Sequence, residues 1–365
     1  MSISMPEHAE KISQQEQQNS TSFQMKSSRY LLLRLKIIFM LMRKRKLSAK
    51  KLLNLILCYL SYYMKRERSA KFPFAISFEL SNECNANCLF CRSKTGQIYN
   101  QNPNDDTPIP KGFLPYEIYT EVIDEVKDYM LMAILYVNGE PLIYKQLYAA
   151  IQYATDNNVA SMIATNGTLL NEENIQKLIK SDIDFIKIAI SGFSQESYSR
   201  QVRYGDVEKI KNNLQLLQAE NSNNGNKTIL MIDFIEYDYN QHEILSAKIF
   251  CEQLGFMFNV RQGNIAHSND TPEESDTLFE PTETLCDWPW KVLTINWNGD
   301  VFPCCDYVVW TNLRSYKKIT PGSVNIREIW NGEAAVKNRK IHCNQGRKAI
   351  PVCSRCNRNS INFKY

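Results

Sequence analysis

Cys84, Cys88 and Cys91 stand in the stretch FELSNECNANCLFCRS as C-x3-C-x2-C. Thiolates this close in sequence can grip one metal centre from a single loop. Three are one short of the four that a structural zinc or a closed iron–sulfur cluster takes. The spacing therefore suggests a centre with one coordination position open to a substrate or cofactor. A zinc site completed by a distant ligand is the alternative. A second set comprises Cys286, Cys304, Cys305, Cys343, Cys353 and Cys356. Cys286 and Cys304 span an Asn298–Gly299 hairpin signal, which folds the two segments back on each other. Cys353 and Cys356 form a tight C-x2-C pair. Two pairs from separate segments make a closed four-thiolate site, suited to zinc or to a 4Fe–4S cluster.

The elements that must position these residues alternate. Apolar runs predict strands at Phe74–Leu80, Ala133–Val137, Ser161–Ala164, Phe185–Ile190, Leu230–Ile235 and Met257–Arg261. Helical patterns fall between them, near 115–129, 144–157, 172–180, 205–219 and 241–254. Strand then helix, repeated six times, predicts a parallel sheet with right-handed crossovers. Six units are short of the eight that close a barrel, so an open or partial barrel is expected. Polar groups follow the strands at a regular rhythm. Asn138-Gly139-Glu140-Pro141 follows the second strand, Thr165-Asn166-Gly167 the third, and Ser191-Gly192 the fourth, with Arg200 and Arg203 downstream. Asn240 after the fifth reads equally well as a helix N-cap.

The cysteine loop and these strand-end motifs resemble the radical S-adenosylmethionine (SAM) enzymes. The resemblance implies a 4Fe–4S cluster on Cys84, Cys88 and Cys91, its open iron chelated by the amino and carboxylate groups of SAM. It places Phe90 in a loop that packs on the adenine. Glu140 would accept hydrogen bonds from the SAM ammonium, and Gly139 would let the backbone come close to the ligand. Thr165 and Asn166 would lie near the SAM carboxylate and ribose, Ser191 on the ribose, and Arg203 (Arg200 second) on the carboxylate. Asn138 replaces the family's first Gly of Gly-Gly-Glu-Pro, and the family's Asp after the fourth strand is absent. In this family a reductant's electron splits SAM, and the resulting 5′-deoxyadenosyl radical takes hydrogen from a substrate C–H.

Residues CDWPW at 286–290, NWNGDVFPCC, Val324-Asn325-Ile326 and EIWN at 328–331, with Cys353 and Cys356, resemble the SPASM/twitch extension of that family. No cysteine follows Cys356, so one auxiliary 4Fe–4S cluster is expected, with Cys286, Cys304, Cys353 and Cys356 as ligands. Cys305 and Cys343 are then bystanders, with replacement of an assigned ligand by either as the alternative. Asp306 is a candidate acid–base residue, because some family members place a catalytic Asp right after an auxiliary ligand. The fold expected is α/β: a partial (β/α)6 TIM-like barrel, a small C-terminal SPASM/twitch domain and an N-terminal helical extension.

Eleven cysteines in an odd, clustered pattern with no secretory signal argue for thiolate ligands in a cytoplasmic protein rather than disulfides. The net charge of +4 hides an asymmetry: residues 26–71 carry 14 Lys or Arg and one acid, Glu67. That block is too apolar for a nucleic-acid module. It predicts two amphipathic helices joined near Arg43–Ser48. They either pack on the catalytic domain with their basic faces solvated, or contact an anionic membrane peripherally. The expected units are a polar tail at 1–25, a basic helical extension at 26–72, a radical SAM core at 73–267, a linker at 268–280 and an auxiliary domain at 281–365. The first 72 residues show no strand alternation of the kind a leader-peptide-gripping module needs. This favours a small metabolite such as a sugar, cyclitol or lipid-linked compound over a peptide. The remaining partner implied is an external one-electron reductant of flavodoxin or ferredoxin type. A non-catalytic zinc or iron–sulfur scaffold is the remote alternative.

Overall fold

The computed structural model of the chain describes residues 37–89, 91, 93–94, 97–98, 109–203, 205–263, 285–309, 315–354 and 356. The predicted tail at 1–25, the linker at 268–280 and Phe90 lie outside them. The described strands are β1 (Ala75–Phe78), β2 (Asn87–Cys88), β3 (Ser93–Lys94), β4 (Gln97–Ile98), β5 (Met132–Ile134), β6 (Ala160–Thr165), β7 (Phe185–Ile190), β8 (Val202–Arg203), β9 (Ile229–Glu236), β10 (Met257–Gln262), β11 (Val292–Ile295), β12 (Asp300–Phe302) and β13 (Lys317–Lys318). Nine of these make one sheet in the order β10-β9-β7-β6-β5-β1-β11-β12-β13. The run from β10 to β11 is parallel throughout. The sheet does not close on itself. The architecture is the expected α/β partial barrel.

Helices α3 (Tyr116–Val126), α4 (Leu147–Asp156), α5 (Glu172–Lys180), α7 (Val207–Asn223) and α8 (Ile244–Gln253) carry the crossovers, and a short α6 (Gln195–Gln201) leads into β8. Alternation along β7 shows how the sheet works. Ile186, Ile188 and Ile190 join the large core beneath the helices, while Phe185 joins a second cluster on the opposite face. That second face is the barrel interior. Its lower end is filled by Met40 and Leu41, from a helical turn α1 at residues 37–43, against Met132, Met162, Phe185 and Ile229.

Two features depart from expectation. The hairpin after residue 285 does not stand apart from the barrel. Its first strand, β11, pairs in parallel with β1, Ala75 opposite Val292 through Phe78 opposite Ile295. The turn itself is as predicted: Gly299 has φ +85° between β11 and β12. The C-terminal segment is thus built onto the barrel's own sheet. Helices α9 (Ile326–Trp330) and α10 (Glu333–Asn344) lock it to the segment after residue 64. Trp330 Nε1 donates to Ala70 O at 3.1 Å, and Trp290 Nε1 to Arg66 O at 2.7 Å.

The second departure concerns the basic extension. Helix α2 (Ala49–Tyr63), capped by Ser48, is packed inside out. Its buried stripe is Lys51, Asn54, Cys58 and Ser61. Its exposed side carries Leu52, Leu53, Ile56, Leu57, Leu60 and Tyr63. The polar stripe is satisfied: Lys51 Nζ donates to Asn158 O at 2.5 Å and Asn54 Nδ2 to Phe72 O at 3.0 Å. Lys44 and Lys46 also turn inward, onto Asp184 at 3.0 and 2.7 Å. The reading with solvated basic faces is therefore wrong for these residues, because hydrogen bonds to the barrel's backbone and carboxylates outweighed the apolar stripe in choosing the docked face. Among the described residues no helix is long and apolar enough to cross a membrane.

Candidate functional site

Strand β1 delivers the cysteine loop to the end of the sheet. Cys84 and Cys88 are half-buried and Cys91 is exposed. The thiols lie close enough for each of Cys84 and Cys88 to feel the charge of Cys91 and of Glu140. Burial raises both, Cys84 to about 11. A thiol so raised holds its thiolate only against a cationic partner, as an iron centre provides. The loop is fixed at both ends. Ala86 N donates to Cys84 Sγ at 3.4 Å, and β2 pairs with β8, Asn87 opposite Arg203 and Cys88 opposite Val202.

The strand-end residues converge on this loop. Glu140 is buried; its backbone N–H donates to Glu83 O at 2.7 Å, and its carboxylate accepts from Asn166 N at 2.9 Å and Leu142 N at 3.2 Å. Burial pushes its carboxyl up to about 7. A carboxylate offers about four lone-pair sites, so two backbone donors and the Thr165 side chain still leave room for a cationic ligand. Asn166 Nδ2 reaches Cys84 Sγ at 3.9 Å and Asn85 Oδ1 at 3.0 Å. Gly139 has φ +71°, and a Cβ there would sit 2.6 Å from Glu83 O and 2.7 Å from Ser81 O. Its small size thus serves the cysteine loop's own backbone. Thr165 Oγ1 accepts from Gly167 N at 3.1 Å, shaping the turn. Ser191 is buried at the end of β7. Arg203 is exposed on β8 beside Cys88, whereas Arg200 is paired with Glu196 at 3.4 Å.

Asn240 makes no side-chain cap. Its Nδ2 instead donates to Ser191 O at 2.8 Å and Ile235 O at 2.9 Å, and its Oδ1 accepts from Tyr237 N at 2.8 Å. It braces the ends of β7 and β9, a role the local sequence hid behind an ordinary capping pattern.

The second cysteine set forms a small pocket lined by Cys286, Cys304, Cys353 and Cys356 with Trp288, Asp306, Arg347 and Val352. Cys305 and Cys343 are not among its lining residues. Cys343 Sγ donates to Lys65 O at 3.5 Å. Burial raises the thiols of Cys286, Cys304 and Cys353, the last to about 11. No three His, Cys, Asp or Glu side chains among the described residues are arranged to hold a single metal ion; these four line a space rather than converge on a point. Asp306 faces Cys356, whose Sγ lies 3.5 Å from Oδ2. Arg347, which the sequence pattern did not single out, is buried here. It donates to Cys353 O at 3.3 Å and Cys356 O at 2.8 Å. Its Nη1 has no hydrogen-bond partner among the described residues. A buried cation against four thiols fits a pocket whose occupant carries net negative charge, as a four-thiolate cluster does. Cys58 and Cys251 are plain buried thiols, raised by burial to about 12.

Comparison with known proteins agrees with this layout. The radical SAM superfamily pattern matches residues 78–245, and that of the SPASM iron–sulfur cluster-binding domain matches residues 286–357. An AdoMet-dependent heme synthase of Methanosarcina barkeri is 29% identical over 34% of this chain and 33% of its own. A mycofactocin maturase of Mycolicibacterium smegmatis is 29% identical over 36% of this chain and 30% of its own. The chain thus spans about a third of these relatives' length. In fold it is similar to Streptococcus suis SuiB bound to its precursor peptide SuiA, with a TM-score of 0.56 at 13% identity, over 75% of this chain and 68% of that one. The chain belongs to the radical SAM superfamily and carries a C-terminal iron–sulfur cluster-binding domain of the SPASM type.

Proposed function

We propose that the protein activates a C–H bond of a lipid-linked small molecule while docked on an anionic membrane surface. When bound, the clusters and SAM supply a 5′-deoxyadenosyl radical and a route for the substrate's electron. The chain's own residues do the rest. Cys84, Cys88 and Cys91 leave one position open, Glu140 and Asn166 hold the SAM side of the loop, and the partial barrel shields the interior from water. Cys286, Cys304, Cys353 and Cys356 would ligate the auxiliary cluster, Arg347 offsetting its charge.

The inside-out helix carries the substrate class. Eleven of the sixteen exposed large apolar side chains of the described residues fall between Ile38 and Met64. Arg43 and Arg45 precede that helix and Lys65 and Arg66 follow it, all exposed. An apolar stripe ringed by bases matches the headgroup and acyl boundary of an anionic leaflet. Burying one such side chain contributes about 1.5–3 kcal/mol, so a few suffice for reversible docking. The full-length protein should sediment with phosphatidylcholine vesicles containing phosphatidylglycerol and not with phosphatidylcholine alone. Leu53→Glu with Ile56→Glu should abolish this. Absence of sedimentation refutes the surface reading; a concentration-dependent dimer lost in the same variant would assign the face to a second copy instead. A peptide is the second reading, favoured by the fold likeness to SuiB with its bound precursor peptide.

A further inference from the structure

Above the plugged lower end, the interior face of the sheet carries a charged constellation that neither cysteine site uses. Lys187 on β7, Asp233 on β9 and Arg261 on β10 meet there. Lys187 Nζ lies 3.5 Å and Arg261 Nε 2.7 Å from the same oxygen, Asp233 Oδ2. The other oxygen, Oδ1, accepts from Asn259 Nδ2 at 2.6 Å. Lys187 Nζ also lies 5.4 Å from the centre of the Tyr136 ring. Asp233 is buried, but Lys187 keeps 18% and Arg261 44% of its side-chain surface. Ala164 and Ala189, whose register places them on the same face, are only half-buried. Both are small, and part of their surface stays accessible.

Among the described residues the charges do not cancel: two cations share one carboxylate, which leaves one positive charge over. Burial alone works against Asp233's charge, but Lys187 and Arg261 more than offset it and hold its carboxyl low. Arg261 uses only Nε on Asp233, so its Nη groups have no hydrogen-bond partner among the described residues. A guanidinium edge that no described residue takes up is a planar donor fork for an oxyanion.

We propose that Lys187 and Arg261, both anchored on Asp233, form a subsite for an oxyanion of the substrate, a phosphate or carboxylate group, inside the barrel. The proposal rests on the catalytic reading above, since it takes the barrel interior as the substrate's place. It does not depend on membrane docking. The subsite would orient the substrate from its charged end, leaving the uncharged part toward the cysteine loop.

Equilibrium dialysis of inorganic phosphate, with acetate as competitor, against the reconstituted full chain with SAM tests it. The wild type should bind one phosphate per chain. Lys187→Met and Arg261→Met should each weaken it by about tenfold or more, the scale of one charged hydrogen bond. Asp233→Asn should bind at least as tightly, because it removes a competing anion. A merely structural ion network predicts the opposite sign for Asp233→Asn, with all three variants losing binding together. Wild-type iron content and near-UV circular dichroism identify folded variants, and half-exposed Arg261 gives the test if Lys187→Met does not fold. Absence of phosphate and acetate binding, or binding untouched by Arg261→Met, overturns the proposal. Competition by phosphatidylglycerol vesicles would assign the anion to a lipid headgroup, and its absence to a soluble metabolite; both require the subsite. Vesicle sedimentation of the Leu53→Glu/Ile56→Glu variant is read separately, so failure of docking and failure of the subsite are distinguishable.

Discussion

The two cysteine sets use the same ligand atom in opposite settings. Cys84, Cys88 and Cys91 sit on a loop at the sheet's end, the last of them exposed, among Glu140, Asn166 and Arg203. Cys286, Cys304, Cys353 and Cys356 close around a pocket backed by Trp288 and Val352. The first arrangement supplies three thiolates and polar neighbours that can receive a charged ligand. The second supplies four thiolates and a buried arginine. On the proposed reading, ligand count and access, rather than cysteine chemistry, separate an open centre from a closed one. Both hang from one sheet, because β11 pairs with β1.

Four substitutions can break or sharpen this contrast. The largest effect belongs to Cys84→Ala, which should abolish 5′-deoxyadenosine release from anaerobic protein given dithionite and SAM; a retained rate would remove the loop from the chemistry. Cys353→Ala should lower iron from about eight to about four per chain while SAM cleavage persists uncoupled. Stoichiometric zinc in the wild type would contradict the four-thiolate assignment. Glu140→Gln should weaken SAM binding by about tenfold, the loss of one charge-assisted hydrogen bond, measured by dialysis. The smallest effect falls to Arg347→Met, which should lower the auxiliary potential by tens of millivolts, about 1 kcal/mol of lost charge stabilisation. An EPR redox titration that finds the auxiliary signal unmoved would deny Arg347 that role.

Much of this was legible before any coordinates. The strand predicted at Phe185–Ile190 is observed with those bounds, and the helix at 172–180 as Glu172–Lys180. Apolar periodicity and turn residues are local signals, and these elements obey them. The four pocket cysteines were legible because one C-x2-C pair, Cys353 and Cys356, and an Asn–Gly turn between Cys286 and Cys304 are local signals. What escaped was non-local. Nothing near Val292 announces that its strand will pair with Ala75, two hundred residues earlier. Nothing in α2 shows that Asn54 will find Phe72 O and Tyr129 O, so that its apolar side faces out. Arg347 has no sequence signature, because a buried arginine's role is set by what its fork meets. Asn240 looked like a cap and is a brace, a difference only three hydrogen bonds reveal.

The central claim is the open position at the three-cysteine loop, and EPR of the reduced protein with and without SAM tests it most directly. The account predicts that SAM shifts the g-values of one cluster signal and leaves the auxiliary signal as it was. In Cys353→Ala the shifting signal should remain alone. Two signals that both ignore SAM would contradict it.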